Sequence, residues 1–392
     1  MRSRTVMTKY FGTAIVLICG FLTLNEAANA AEPEVPDPFQ GFDDTSRNTV
    51  NYDDLTDLLD MLVVDRGLSS RRIAQPAPDI TGTRMKEKIL KTANEGNLFF
   101  YETLKDNEAA RQFLRGIQRR LMQVPDETPL EQFSRDEQLA YWLNLYNVTV
   151  LNEIVAIYPR RNLKKLVQGE QSIFSEKLLM VAGVAMSLDD IQFTILRRNY
   201  DDNPLIIYGL YKGIVGGPNI RKSAFSGADV YYALEDNAYE FINSNRGTFP
   251  YDEDVFRVSS LYDRNRAYFA DFDSDLYQHL LEYLEGPQRA RLLTASIIKP
   301  DINDWTVTDL GGTRQDNIGG SLANNHAAML DAYKGRMKAN GGITVASVIV
   351  KRPTKEPVKE GDVTIDDLGR LPGENQGASV EKITTENTEL AE

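Results

Sequence analysis

Leucine recurs at 55, 58, 59 and 62 in "DDLTDLLDML", the spacing of one face of a helix. Two longer helical patterns follow over 84–106 and 108–123, the second ended by Pro125. The strongest pattern starts at Ser134, where "SRDE" is a capping box: the Ser134 hydroxyl takes an orphan N–H while Glu137 reaches back. Its helix runs through "QLAYWLNLYNVTVLNEIVAIY" and stops before Pro159. It is apolar nearly all round, which predicts a central, buried position. "KLLMVAGVAMSL" (177–188) predicts two short strands turning at Ala182-Gly183, and "SLDD" (187–190) caps a helix carrying Ile191, Ile195 and Leu196.

Further on, the apolar run 205–210 predicts a strand that ends in a glycine bend. Val230, Leu234, Ala238 and Phe241 line one side of a helix, 255–260 reads as a strand, and "DLYQHLLEYLEG" as a helix closed by Gly286. A last short strand is expected at 303–310 and one more helix at 325–338. Helices outnumber strands, and helix–strand alternation is too weak for a doubly wound sheet. The expected class is therefore α+β: a helix-rich single domain with a small sheet over 51–310.

The ends differ in composition from this body. Residues 1–30 carry Arg2, Arg4 and Lys9, then the apolar core "FGTAIVLICGFLTL" and Ala28-Asn29-Ala30. That order predicts a secretory signal cleaved after Ala30, hence a periplasmic or secreted protein with no membrane span after cleavage. Residues 31–50 read as a Pro- and Asp-rich linker, 311–340 as a polar extension with a short helix, and 341–392 as a disordered acidic tail. The single cysteine, Cys19, leaves with the signal. The mature chain then has neither disulfide nor thiol nucleophile, nor sulfur ligation of a metal.

Charge removes another class of partner. The chain holds 44 Lys+Arg against 57 Asp+Glu; without the signal it holds 41 against 56, a net of −15. An acidic chain is repelled by phosphate backbones, and the basic run "RRNLKKL" (160–166) is short and lacks aromatics, so no nucleic acid is expected.

Candidate chemistry centres on the bend "YKGIVGGPNIRK". Gly213, Gly216 and Gly217 do not have P-loop or dinucleotide spacing. They read as a tight turn with φ > 0, or as a nest of N–H groups that binds an anion beside Arg221. Asn144 and Asn147, on the most apolar helix, either pin neighbouring backbone or line a pocket. Paired acids at Asp189-Asp190, Asp201-Asp202 and Asp271/Asp273 sit where carboxylates cap turns and helices, or do acid–base work if desolvated. His279 and His326 are the only histidines; the first lies among leucines as a core residue, and neither forms a triad or metal site. No cofactor is implied. The site residues carried forward are Asn144, Asn147, Asp190, Gly216, Gly217, Arg221 and Asp271, and no catalytic residue is assigned.

Six stretches in order resemble the bacterial and plant family called domain of unknown function 547: "AYWLNLYNVTVL", "VAGVAMSLDDIQFTILR", "NPLIIYGLYKGIVGGPNIRKSAF", "AYEFINSNRGT", "VSSLYDRNRAYFADF" and "NDWTV". The resemblance covers about residues 50–310. The family's third motif resembles D-P-R-I-H-F-A-L-x-C-G-A-x-S-C-P-P-L-R. On this chain its histidine position is Ile207 and its cysteine positions are Lys212 and Gly217, while Pro218 and Arg221 match. A Cys–His pair there would imply thiol chemistry on a fold distantly like papain or transglutaminase, and this chain lacks that pair. The resemblance therefore implies a catalytically silent binding or scaffold member with an unidentified envelope ligand or protein partner. The alternative is a cell-envelope hydrolase or transferase that uses other groups in the same cleft.

Overall fold

The computed structural model describes residues 34–310 apart from 74–91, 93–94, 106, 170–171 and 250–253. The signal, the extension, the acidic tail, the helix at 325–338 and His326 lie outside the described residues, as does most of the helix expected over 84–106. Residues 34–50, a linker by composition, carry Phe39 into the core, where its ring meets Trp142 edge-on at 5.0 Å.

α1 (Asp53–Leu62) buries Leu55, Leu58, Leu59 and Leu62, as their spacing requires. It leads into β1 (Val63–Val64), which pairs antiparallel with β2 (Leu98–Phe99). β2 lies where helix was expected, and only α2 (Tyr101–Lys105) is helical at that end. α3 (Glu108–Glu127) is capped by Asn107, whose side chain accepts from the Ala110 N–H, and it keeps Pro125 in its last turn. Proline has no N–H for the carbonyl four residues back. The Leu121 carbonyl is satisfied instead by the Tyr141 hydroxyl at 3.0 Å, so the helix continues past a residue expected to end it.

α4 (Arg135–Ile157) is the predicted central helix, buried without interruption from Glu137 to Leu151. Half of its capping box forms: the Ser134 hydroxyl accepts from the Glu137 N–H at 3.3 Å. The Glu137 carboxylate does not reach back. It accepts from the N–H groups of Val50 (2.9 Å) and Gly227 (3.1 Å), which ties two distant segments to the helix start.

α5 (Lys164–Val167) precedes the predicted hairpin, β3 (Leu179–Val181) with β4 (Val184–Met186), which turns through Ala182 and Gly183 at φ 46° and 76°. The helix after it is a π-helix, Asp190–Leu196, running into α6 (Arg197–Asn199). Residues 205–210 are not a strand; Pro204–Gly209 is a 3₁₀ helix with Asn203 capping the Leu205 N–H. A short all-apolar run carries no period to tell a strand from a buried helical turn.

α7 (Val230–Ile242) follows as expected. β5 (Thr248–Phe249), β6 (Val255–Ser259) and β7 (Ile297–Ile302) form the largest sheet among the described residues, with β6 central, antiparallel to β5 and parallel to β7. Between β6 and β7 lie α8 (Ser260–Arg264), α9 (Phe272–Tyr283) and α10 (Gly286–Thr294). Gly286, expected to close α9, opens α10. The strand expected at 303–310 is only a set of bridges, pairing Thr306 with Asn162, Val307 with Ile214 and Asp309 with Phe99. The class is helix-rich α+β as the pattern predicts, with three small sheets among the described residues where one was expected.

Candidate functional site

The bend is packed inside the domain. Residues from Gly213 to Pro218 are buried, and residues 304–308 run alongside them. The N–H groups of Val215 and Gly216 donate to the Thr306 and Asp304 carbonyls at 2.8 and 2.9 Å, and the Gly217 N–H donates to the Ile214 carbonyl at 3.1 Å. An anion nest needs N–H groups that are free. These three are used by backbone, which removes that reading of the turn. The glycines also divide their roles differently from the expectation. Only Gly213 has a positive φ, 74°. At Gly216 the constraint is close approach: a Cβ there would lie 2.7 and 2.8 Å from the Asp304 backbone nitrogen and oxygen. Gly216→Ala is therefore expected to cost about 1–3 kcal/mol, the range for overpacking a closed interior. Gly217→Ala, whose Cβ would meet its nearest atoms at an ordinary 3.4 Å, should cost less. Chemical denaturation of the two variants side by side checks the difference.

Of the candidate residues, Asn144, Asn147 and Arg221 line one cavity, with Leu55, Ile220 and Phe225. Both amides are engaged twice. Asn144 donates to the Phe225 carbonyl (2.8 Å) and accepts from its N–H (2.9 Å). Asn147 donates to the Gly209 carbonyl (2.9 Å) and accepts from the Tyr211 N–H (2.9 Å). They are pins that hold the two ends of the bend segment to α4. Arg221 donates to the Ala233 carbonyl at 3.0 Å and pairs with the exposed carboxylate of Asp236 at 3.2 Å. The cavity measures about 10 Å³, room for about one water. Asp190 and Asp271 lie apart from this group. Asp190 accepts from the Ser187 N–H (2.6 Å) and hydroxyl (2.8 Å) and from Lys177. Burial opposes its charge, but these bonds outweigh it and hold the carboxyl below its usual range. Asp271 is exposed at the start of α9, where its N–H donates to the Asp275 carboxylate at 2.8 Å.

Beneath the bend is a polar assembly that pattern reading missed. Arg246, fully buried, pairs with Glu240 through both carboxylate oxygens, at 2.8 and 2.5 Å. Its remaining donors reach the Gly217 carbonyl at 3.2 Å and the Asn219 side-chain oxygen at 2.9 Å. Asn219 in turn donates to Glu240 at 2.8 Å, and its oxygen takes the Asn97 N–H at 2.8 Å. The "AYEFINSNRGT" stretch thus supplies a charged latch for the turn "GGPN". The spacing of Glu240 and Arg246, six apart and across the end of α7, gives no local signal for such a pair.

Lys212 was also missed as a site residue, although it is the only charged residue in the run 205–220. Its amine meets the Tyr146 hydroxyl and the Gln192 side-chain oxygen, the latter at 2.7 Å. It sits over the rings of Tyr146 and Phe174, at 4.8 and 4.3 Å from their centroids. Burial lowers its pKa to about 7; Asp189 opposes the shift and Arg264 adds to it. His279 is the core residue the sequence proposed, 7% exposed. Its Nε2 is 2.8 Å from the Tyr208 hydroxyl, which donates to Tyr262 at 3.1 Å. Tyr208 belongs to the turn that feeds the bend, so the imidazole supports that turn from below.

The fold and site together define a helix-rich α+β domain built round an interior glycine turn that two asparagines and a buried ion pair hold in place. Residues 130–242, from just before α4 to the end of α7, match the model of the family described as "Protein of unknown function, DUF547", and this part of the chain is similar to that family. No curated protein and no solved structure matches the chain. Among the described residues, no group of three or more histidine, cysteine, aspartate or glutamate side chains is placed to hold a metal ion, and no helix is long and apolar enough to cross a membrane.

Proposed function

We propose that the chain is an exported, catalytically silent relative of this family that acts as a binding or scaffold protein in the cell envelope. One observation carries the reading: the amides of Asn144 and Asn147 and the Nη1 of Arg221 are spent on backbone carbonyls around a cavity that holds about one water, where the buried Arg221 Nε has no hydrogen-bond partner and no room beside it for a substrate. General acid–base or electrostatic catalysis needs groups free to meet a substrate. The positions at which the resemblance expects histidine and two cysteines are Ile207, Lys212 and Gly217, so the thiol route is closed in any case. The rival hydrolase or transferase needs Arg221 and a carboxylate to converge in a deep pocket, whereas Asp236 meets Arg221 at the surface. The partner is an unidentified envelope ligand or protein, and the mature N-terminus is Ala31. The test is incubation of the mature protein with thiol- and serine-reactive probes and an ester and peptide panel. No turnover above an Arg221→Ala control is expected, and clear turnover above it would overturn the silent reading.

A further inference from the structure

The Lys212 amine lies among uncharged hydrogen-bond partners and aromatic rings. Three of its neighbours are almost wholly buried: Tyr146, Phe174 and Gln192 are 0%, 3% and 2% exposed. The residue as a whole is half-buried. Its hydrogen-bond partners are uncharged, a phenol and an amide. The charged groups that act on it are Asp189, just before the π-helix, and Arg264, at the end of α8. Tyr268 completes the surroundings by donating to the Gln192 backbone carbonyl at 2.6 Å, and the Gln192 side-chain amide is held by Asn265. Desolvation together with a neighbouring cation is the arrangement that turns lysine from a point charge into a nucleophile.

We propose that Lys212 is a covalent binding point for small aldehydes, held for that reaction by Tyr146, Gln192 and the aromatic faces of Tyr146 and Phe174. In the step, the Nζ lone pair adds to the carbonyl carbon, and an N–H proton passes to the oxygen to give a carbinolamine. The C–O bond then breaks, hydroxide takes the second N–H proton, and one water leaves as the C=N bond forms. Two features of the site suit each stage. The amine loses its proton near neutral pH, because burial and Arg264 disfavour its charge. Burial pushes the Tyr146 phenol well up, so it remains an O–H donor to the departing oxygen and then to the imine nitrogen. The flat aromatic walls favour an apolar or aromatic substituent on the aldehyde. This capture goes beyond the silent-binder reading and involves no turnover. Its failure would leave the result of the ester and peptide panel unchanged.

The experiment is reductive trapping of the folded, full mature protein with propanal and cyanoborohydride between pH 6 and 9, followed by peptide mass mapping. Lys222 and Lys299, 45% and 61% exposed, serve as internal references. At pH 7 a lysine with a midpoint near 7 holds roughly a thousandfold more neutral amine than an ordinary lysine with a midpoint near 10.4. Even with the lower nucleophilicity of the weaker base, Lys212 should be alkylated at least roughly tenfold faster than either reference, with its midpoint near pH 7. Arg264→Gln should move that midpoint upward and slow labelling at pH 7 by about threefold or more; circular dichroism verifies that this variant is folded. Alkylation of Lys212 at the pace of the references or slower in the native protein would overturn the proposal, as would an Arg264→Gln midpoint that does not move.

Discussion

Arg246→Met is expected to destabilise the domain by about 3–5 kcal/mol, the usual cost of stripping one partner from a buried ion pair. The guanidinium is fully buried and contacts Glu240 through two bonds, with the Gly217 carbonyl and Asn219 on its other side. Its removal leaves the Glu240 carboxylate, 9% exposed, with only the Asn219 amide as a donor partner. It also frees the last carbonyl of the glycine turn. Most of the loss should come from the uncompensated carboxylate rather than from lost attraction. The double variant Arg246→Met with Glu240→Gln should therefore recover a large part of the stability. Urea unfolding checks both: a midpoint shift with unchanged slope in the single variant, partly reversed in the double. A single-variant loss below about 1 kcal/mol would show that the latch does not hold the turn.

That latch marks where sequence reading stopped. Elements with a strong local signal were legible: the capped run from Ser134 gave α4, leucine spacing gave α1, and Ala182-Gly183 gave the hairpin. Short apolar runs were not, because burial on all sides erases the period; Leu205–Leu210 read as strand and folded as a 3₁₀ turn. Long-range satisfaction was also invisible. Pro125 stays in α3 only because Tyr141, sixteen residues on, supplies the missing donor to Leu121. Glu137 leaves its capping box for two amides distant in sequence. At the site, the chemistry of asparagine on an apolar helix was readable, and Asn144 and Asn147 do pin backbone. Arg221 joins them at the cavity, while Asp190 and Asp271 proved to be local residues of their own turns. Lys212 carried a signal that went unused: a lone charge inside an apolar run is desolvated by its neighbours in sequence before any fold is known.

Between pH 6.5 and 4 the folded protein is expected to lose about 3 kcal/mol of stability through His279 alone. The ring is packed with Tyr208, Phe269 and Tyr283, at centroid distances of 5.7, 6.0 and 5.3 Å, and the single resolved cause of its shift is desolvation, which lowers its pKa from 6.5 to about 4. The sign follows from proton counting. Above pH 6.5 the ring is neutral in both the folded and the unfolded chain. As pH falls from 6.5 to 4, the unfolded chain takes up a proton that the folded one refuses, so unfolding gains free energy. Below about 4 both forms are charged and the loss stops growing. At about 1.4 kcal/mol per pH unit, the window gives the figure above. Carboxylates held low by their partners, such as Asp190 and Asp301, also lose their stabilisation in acid, so total acid sensitivity cannot isolate the imidazole. His279→Gln can: glutamine keeps a polar partner for the Tyr208 hydroxyl but does not titrate, and the carboxylate contributions cancel in the difference. Denaturant unfolding of both proteins at half-unit steps should show the native curve falling more steeply by about 3 kcal/mol across the window. Parallel curves would mean that the turn before the bend opens to admit a charged ring, and that the imidazole does not support it from below.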